Sequence, residues 1–204
     1  MRASWDRERD PLAALAAGDP APFEEFVQTE VGTFLGFFQR LGADPEEAED
    51  LTQEVFLKLF RHAAGYQARE RFTAYCFRVA RNAWIDRRRR AASRGGATGQ
   101  SDGEGQELDP IAQVPSRGVP FHEAPVGPEE SQRLHAALGA LPDSHRLVFE
   151  LGALQELSYS EVSGLLDIPV GTVKSRMFHA VRRLRSALEA AGVVPDAEPR
   201  EERA

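Results

Sequence analysis

Residues 157–185 read "LSYSEVSGLLDIPVGTVKSRMFHAVRRLR", and the punctuation inside this stretch decides the architecture. Ser158 followed by Glu161 has the spacing of a capping box, which opens a short helix whose apolar residues are Val162, Leu165 and Leu166. Pro169 cannot continue that helix and biases Ile168 to an extended conformation, so "LDIP" is a tight turn. A second helix starts near Val170 or Gly171. Projected at about 100° per residue, Val173, Met177, Ala180, Val181, Leu184 and Leu188 fall on one side. Thr172, Ser175, Arg176, His179, Arg182 and Arg183 share the opposite face, and all of them carry donors. A short helix, a tight turn and a second helix with such a face is how a helix-turn-helix presents side chains to base edges in a major groove. Thr172, Ser175, Arg176 and His179 lie in the first turns, where bases are read, while Arg182, Arg183 and Arg185 lie further along and suit phosphates. The alternative is a solvated amphipathic helix, and the absence of any acid on the face weighs against it.

This basic helix sits in an acidic chain. The 204 residues carry a formal net charge of -7, with 42% apolar and 28% charged residues, which suits one ordinary soluble domain or two small helical ones. The cations are concentrated: residues 78–94 hold seven arginines against Asp86, and residues 172–186 hold five cations and no acid. Acid collects in residues 44–54, with six carboxylates and no base. The pattern argues against indiscriminate coating of nucleic acid and for local contacts. One cysteine, Cys76, excludes an intrachain disulfide and a cysteine metal cluster and fits a reducing cytoplasm. The N-terminus has no sustained apolar core and no window approaches 18 apolar residues, so neither a signal peptide nor direct membrane insertion is expected.

Helical patterning runs from Pro11 to about Arg90 and again from about Glu129 to Ala190, with no alternating strand pattern. Residues 95–128 are rich in Gly, Pro and Ser and carry one base against five acids, the composition of a flexible linker. The expected fold is all-α, with one small helical domain at 10–94, a linker at 95–128, a second domain at 129–190 and a polar tail at 191–204.

In residues 44–62, "DPEEAEDLTQEVFLKLFRH", acids open a helix at the end where its macrodipole favours them. Leu51, Val55, Phe56, Leu59 and Phe60 form a broad apolar face, with Asp50, Gln53, Glu54 and Arg61 opposite and Leu57 among them. A leucine in a polar stripe points to a partner surface or is a single exposed apolar residue of the common kind. Asp50 and Glu54 at i, i+4 are weak evidence for a metal, with no histidine nearby, so no metal or other cofactor is expected. In residues 70–90, "ERFTAYCFRVARNAWIDRRRR", Phe72, Cys76, Val79, Ala80 and Ala83 face one way. Arg78, Arg81, Arg88 and Arg89 face the other, with Asn82 and Ile85 among them and Phe77 and Trp84 at the border. Arginines beside aromatics suit single-stranded nucleic acid, where bases stack on rings and phosphates meet cations; the competing reading makes the two rings ordinary core.

The stretch "LPDSHRLVFELGALQELSYSEVSGLLDIPVGTVKSR" resembles region 4 of bacterial RNA polymerase sigma factors of the sigma-70 family, specifically the extracytoplasmic-function group. "AEDLTQEVFLKLF" resembles region 2.2, and "RFTAYCFRVARNAWIDRRRR" resembles regions 2.3 and 2.4. The resemblance implies partners: the beta-prime clamp helices and beta flap of core RNA polymerase, promoter DNA and an anti-sigma factor. It implies that Asp50, Gln53, Glu54 and Leu57 bind core polymerase. Arg78, Arg81, Asn82, Trp84, Arg87 and Arg88 form the minus 10 set, and Thr172, Lys174, Ser175, Arg176, His179, Arg182 and Arg183 the minus 35 set. The family commonly has glycine where Asp167 closes the turn, and Asp tolerates a left-handed conformation well enough for the turn to survive. It usually has Trp where Tyr75 stands, a swap that keeps an aromatic in the core, and the segment "HAAGYQARE" corresponds to the loop that holds a flipped base. Promoter-specific initiation without any catalytic residue is the implied function. The alternatives are a polymerase-independent helix-turn-helix regulator and a nuclease built on the acidic cluster.

Overall fold

Proline and aspartate set where the first helices begin. Pro11 and Pro45 occupy the first helical position, where a missing N–H costs nothing and the fixed φ suits the helix. The aspartate before each one caps it: Asp10 accepts from the Leu12 and Ala13 amides at 3.1 and 3.2 Å, and Asp44 from the Glu47 amide at 2.8 Å. The computed structural model describes residues 9–67, 71–95 and 128–190. The helices are α1 (Pro11–Ala16), α2 (Ala21–Arg40), α3 (Pro45–His62), α4 (Phe72–Gly95), α5 (Pro128–Gly139), α6 (Asp143–Phe149), α7 (Tyr159–Leu166) and α8 (Val170–Ala190). A 3₁₀ turn, Ala63–Gly65, follows α3, and a π turn, Glu150–Leu154, follows α6. No strand occurs among the described residues, so the all-α expectation holds.

The N-terminal unit packs α2, α3 and α4 around phenylalanines. Phe23, Phe26, Phe34, Phe37 and Phe38 of α2 are buried with Leu51, Val55 and Leu59 of α3 and Phe72, Cys76 and Ala80 of α4. Phe26 meets Phe72 edge-on at 4.8 Å, and Phe34 stacks on Phe77 at 5.1 Å and 11°. Such pairs contribute about 0.5–1.5 kcal/mol each beyond their area burial, and they fix how α4 lies on α2. Phe77 is thus core. Phe60, expected on the buried face of α3, is 55% exposed instead, because α3 turns Ala48, Leu51, Thr52, Val55 and Leu59 inward and leaves Phe60 at the edge of that face.

In the C-terminal unit, Leu138, Val148, Leu151, Val162, Val173, Met177, Ala180 and Leu184 close the core between α5 and α8. The capping box is present: the Ser158 amide donates to Glu161 Oε2 at 2.7 Å and the Glu161 amide to Ser158 Oγ at 3.2 Å. Asp167 ends α7 with φ 55° and ψ 47°, the left-handed geometry expected of it, and Ser163 Oγ donates to the Ile168 carbonyl at 2.6 Å to close the turn. The angle between α7 and α8 is therefore set by local chemistry. Buried Arg146 caps the end of α5, donating to the carbonyls of Leu138, Gly139 and Leu141 at 2.8–2.9 Å.

The two units touch. Arg40 at the end of α2 donates to Glu150 in the π turn through Nε at 2.8 Å and Nη2 at 2.7 Å. Arg146 Nη1 donates to the Leu41 carbonyl at 3.3 Å, and Arg71 Nη1 lies 3.6 Å from Glu161. The expected linker is bounded by Gly95 at the end of α4 and Pro128 at the start of α5, and residues 96–127 and the tail at 191–204 lie outside the described residues.

Candidate nucleic-acid interface

The buried edge of α8 holds Val173, Met177, Ala180 and Leu184, which leaves the donor face outward. Arg182 and Arg183 are exposed, while Thr172, Lys174, Ser175, Arg176 and His179 are half-buried, seated against the rest of the unit rather than free in solvent. His179 lies between two rings, His145 of α6 at 6.1 Å and Phe178 at 5.5 Å, both edge-on. Phe178, 39% exposed, stands beside this face, as does Val170 at 38% at the helix start. Sequence reasoning missed both, since a helical projection that sorts residues into apolar and donor faces has no place for an apolar side chain at the boundary.

On α4 the basic face divides into three. Arg78, Asn82 and Arg88 are exposed; the Arg78 guanidinium lies 5.3 Å over the Tyr75 ring and that of Arg88 5.5 Å over Trp84. Arg87 is turned back onto α3, with Nε donating to Glu47 at 2.8 Å and Nη2 3.7 Å from Asp50. The bond that Arg87 donates to Glu47, helped by the fields of Glu47, Asp50 and Glu54, raises its pKa, so Arg87 also ties α4 to α3. Arg81 is half-buried: burial, then repulsion from Arg89, lowers its pKa against the opposing pull of Asp167. Its Nε has no hydrogen-bond partner among the described residues. Trp84 is half-buried in a cleft of about 280 Å³ shared with Ile85, Arg88 and Arg89 and with Asp143, Ser144 and Leu147 of α6.

The α3 stripe is accessible. Leu57 is 52% exposed beside exposed Asp50 and Gln53, and Phe60 extends the apolar patch by one turn. Asp50 and Glu54 are each met by a cation, Arg87 at 3.7 Å and Lys58 at 2.6 Å.

A further cleft, about 790 Å³, opens where α3 ends, lined by Arg61, His62, Gly65, Tyr66, Gln67, Tyr75 and Arg78. The Tyr66 hydroxyl donates to Asp10 at 2.8 Å and its ring lies 5.0 Å from Tyr75. Tyr75, expected in the core, is half-buried and forms a wall of this cleft. Two aromatic walls and two arginines suit a base with its phosphate. The sequence signal was the pair of tyrosines flanking the α3–α4 connection, which no periodicity relates.

Comparisons with known proteins match this chain in two regions. Residues 26–94 match the family model for sigma-70 region 2, and residues 131–184 match that for sigma-70 region 4. The chain is similar to the ECF RNA polymerase sigma factor SigW of Bacillus subtilis, with 30% identity over 171 residues, 84% of this chain and 91% of SigW. It is 31% identical over 176 residues to the ECF sigma factor SigE of Mycolicibacterium smegmatis, covering 85% of this chain and 65% of SigE. Among solved structures, CnrH in complex with the cytosolic domain of CnrY shares the fold at TM-score 0.61 and 22% identity, over 91% of this chain and 99% of the other. RpoE of Bartonella quintana, in complex with the anti-sigma factor NepR, does so at 0.60 and 22%, over 82% and 96%. With two family regions in order on one chain and a relative matched over nearly its whole length, this chain belongs to the extracytoplasmic-function group of sigma-70 RNA polymerase sigma factors.

Proposed function

We propose that this sigma factor divides its work among the three faces described above. Leu57, with Asp50, Gln53 and Glu54 around it and Phe60 beside it, docks on the clamp helices of core polymerase; an exposed apolar side chain ringed by carboxylates suits a basic helical partner. Arg78, Arg81, Asn82, Arg87 and Arg88 engage the minus 10 element with Trp84, and the cleft between Tyr66 and Tyr75 receives an unstacked base of the opened strand. Thr172, Ser175, Arg176 and His179 read the minus 35 element, and Lys174, Arg182 and Arg183 hold its phosphates. The region at 129–190 also meets the beta flap. No bond is made or broken by these residues: binding energy opens the DNA, and catalysis belongs to the polymerase.

The observation that carries this reading is the coexistence, on one chain, of a helix-turn-helix and a separate basic helix beside an exposed acidic and apolar stripe. A regulator acting alone has no use for the latter. An anti-sigma factor is the expected inhibitory partner, in keeping with the company in which the similarly folded RpoE is seen. No described helix is long and apolar enough to cross a membrane, which fits action in the cytoplasm beside the polymerase.

The test is titration of the full chain with core polymerase, followed by permanganate probing of promoter DNA. Tight binding to core and unpaired thymines at minus 10 only in the presence of both proteins support the reading. Duplex binding that needs no polymerase, together with no affinity for core, would replace it with the regulator.

A further inference from the structure

The short helix α1 precedes the residues that match region 2, yet one side chain ties its start to the cleft at the end of α3. The Asp10 carboxylate makes three bonds in two directions. Oδ1 accepts from the Leu12 and Ala13 amides at 3.1 and 3.2 Å and so caps α1, while Oδ2 accepts from the Tyr66 hydroxyl at 2.8 Å, 56 residues along the chain. The cap holds the carboxylate in place before any partner arrives. α1 is itself anchored: Leu12 is fully buried, the helix packs on the 3₁₀ turn Ala63–Gly65, and Arg9 lies 3.3 Å from Glu25 of α2.

Tyr66 needs an anchor of this kind. It follows the 3₁₀ turn in extended backbone, at φ -67° and ψ 136°, with its amide donating to the Ala63 carbonyl at 3.1 Å. The ring is half-buried, and a bond at the hydroxyl, the atom farthest from the backbone, settles both of its side-chain torsions. A bond to a carboxylate is also about twice as strong as one between neutral groups. The ring so held stands 5.0 Å from that of Tyr75, over which the Arg78 guanidinium lies at 5.3 Å. A wall ordered in advance loses no rotamer freedom when a base enters, and preorganisation of this sort raises affinity without a new contact.

We propose that Asp10 is a positioning residue for the base cleft: through the Tyr66 hydroxyl, the cap of α1 sets the plane against which an unstacked base of the opened strand packs. This rests on the reading of the cleft as a base site, and the experiment separates the two. Holoenzyme assembled from core RNA polymerase and the full chain is titrated with the single non-template minus 10 strand of a promoter that it opens in permanganate probing. The strand is used intact and with one base removed at each position in turn. The ratio of abasic to intact Kd locates the position whose base enters the cleft, and Tyr66→Ala brings that ratio to near unity. Asp10→Ser keeps a helix cap but is too short to serve both the amides and Tyr66, and Tyr66→Phe removes the same bond while keeping the ring. Each is expected to lower the ratio at least about threefold at that position alone, and the two together to add less than about a further 1.5-fold, because they remove one interaction. Asp10→Asn, which caps as well and still bonds to the hydroxyl, retains most of the ratio. Thermal melts check that each variant is folded. A ratio that Asp10→Ser leaves unchanged while Tyr66→Ala abolishes it would overturn the positioning role and leave the cleft reading standing. Losses spread evenly over all positions, or independent effects of Asp10→Ser and Tyr66→Phe, do the same. A ratio that Tyr66→Ala changes at no position, or a holoenzyme that opens no promoter, overturns the underlying reading and the positioning role together.

Discussion

At the residue scale, three side chains separate structural from functional roles. Tyr159 is buried, its hydroxyl has no partner among the described residues, and burial raises its pKa. A group whose folded pKa is raised contributes stability that is present below its unfolded value, near 10, and is lost as pH rises through the folded value. Tyr159→Phe is therefore expected to hold or increase stability at neutral pH by up to about 1 kcal/mol, and to flatten the alkaline limb above about pH 10, in denaturant melts run against pH. Arg87 is the second case. Its bond to Glu47 makes it an α3–α4 tie as well as a DNA candidate. The pair is partly exposed, so Glu47→Gln is expected to cost no more than about 1 kcal/mol. Arg87→Ala should cost the same in stability and also weaken binding to a forked minus 10 DNA in holoenzyme; equal DNA binding by the two variants would make Arg87 structural only. The third is Asp167: it stands where the resembled family commonly has glycine, which implied a left-handed closer, and φ is 55°.

At the scale of single elements, periodicity made α3, α4, α7 and α8 legible, and side-chain caps marked the starts of α3 and α7. What periodicity misplaced was Phe60 at the edge of α3; the resemblance put Tyr75 in the core where it lines the cleft, and Phe77, left between a border and a core reading, is drawn inward by Phe34. The π turn left no mark in the sequence, since nothing in "ELGAL" distinguishes it from another turn of α6. For α8, the phosphate and base roles make different forecasts. Arg182→Ala with Arg183→Ala is expected to weaken minus 35 duplexes of all sequences alike and to reduce the salt slope of log K by about 2, measured by anisotropy titrations. Arg176→Ala is expected to cost about 1–3 kcal/mol on the preferred sequence and much less on others. For α3, Leu57→Asp is expected to lower core polymerase affinity at least tenfold with an unchanged melting temperature, since the side chain is half-exposed and supports no core.

For the whole molecule, the order of the parts was legible: two helical units, a compositionally distinct segment between them and two basic helices in an acidic chain. The contact between the units was not, because Arg40 and Glu150 lie 110 positions apart and a charged residue in a helix reads as solvated until its partner is placed. On the proposed function, the acidic excess elsewhere would keep attraction to DNA local to the two basic helices, so binding should depend on both being presented at once by the polymerase. That dependence is tested most directly by transcription in vitro with core RNA polymerase on fragmented DNA from the source genome, with and without this chain, and with transcript starts mapped by sequencing. The account predicts starts that appear only with the chain and share two upstream motifs at a fixed spacing. Starts that are the same with and without it, from polymerase shown to be active and a chain shown to be folded, would contradict it.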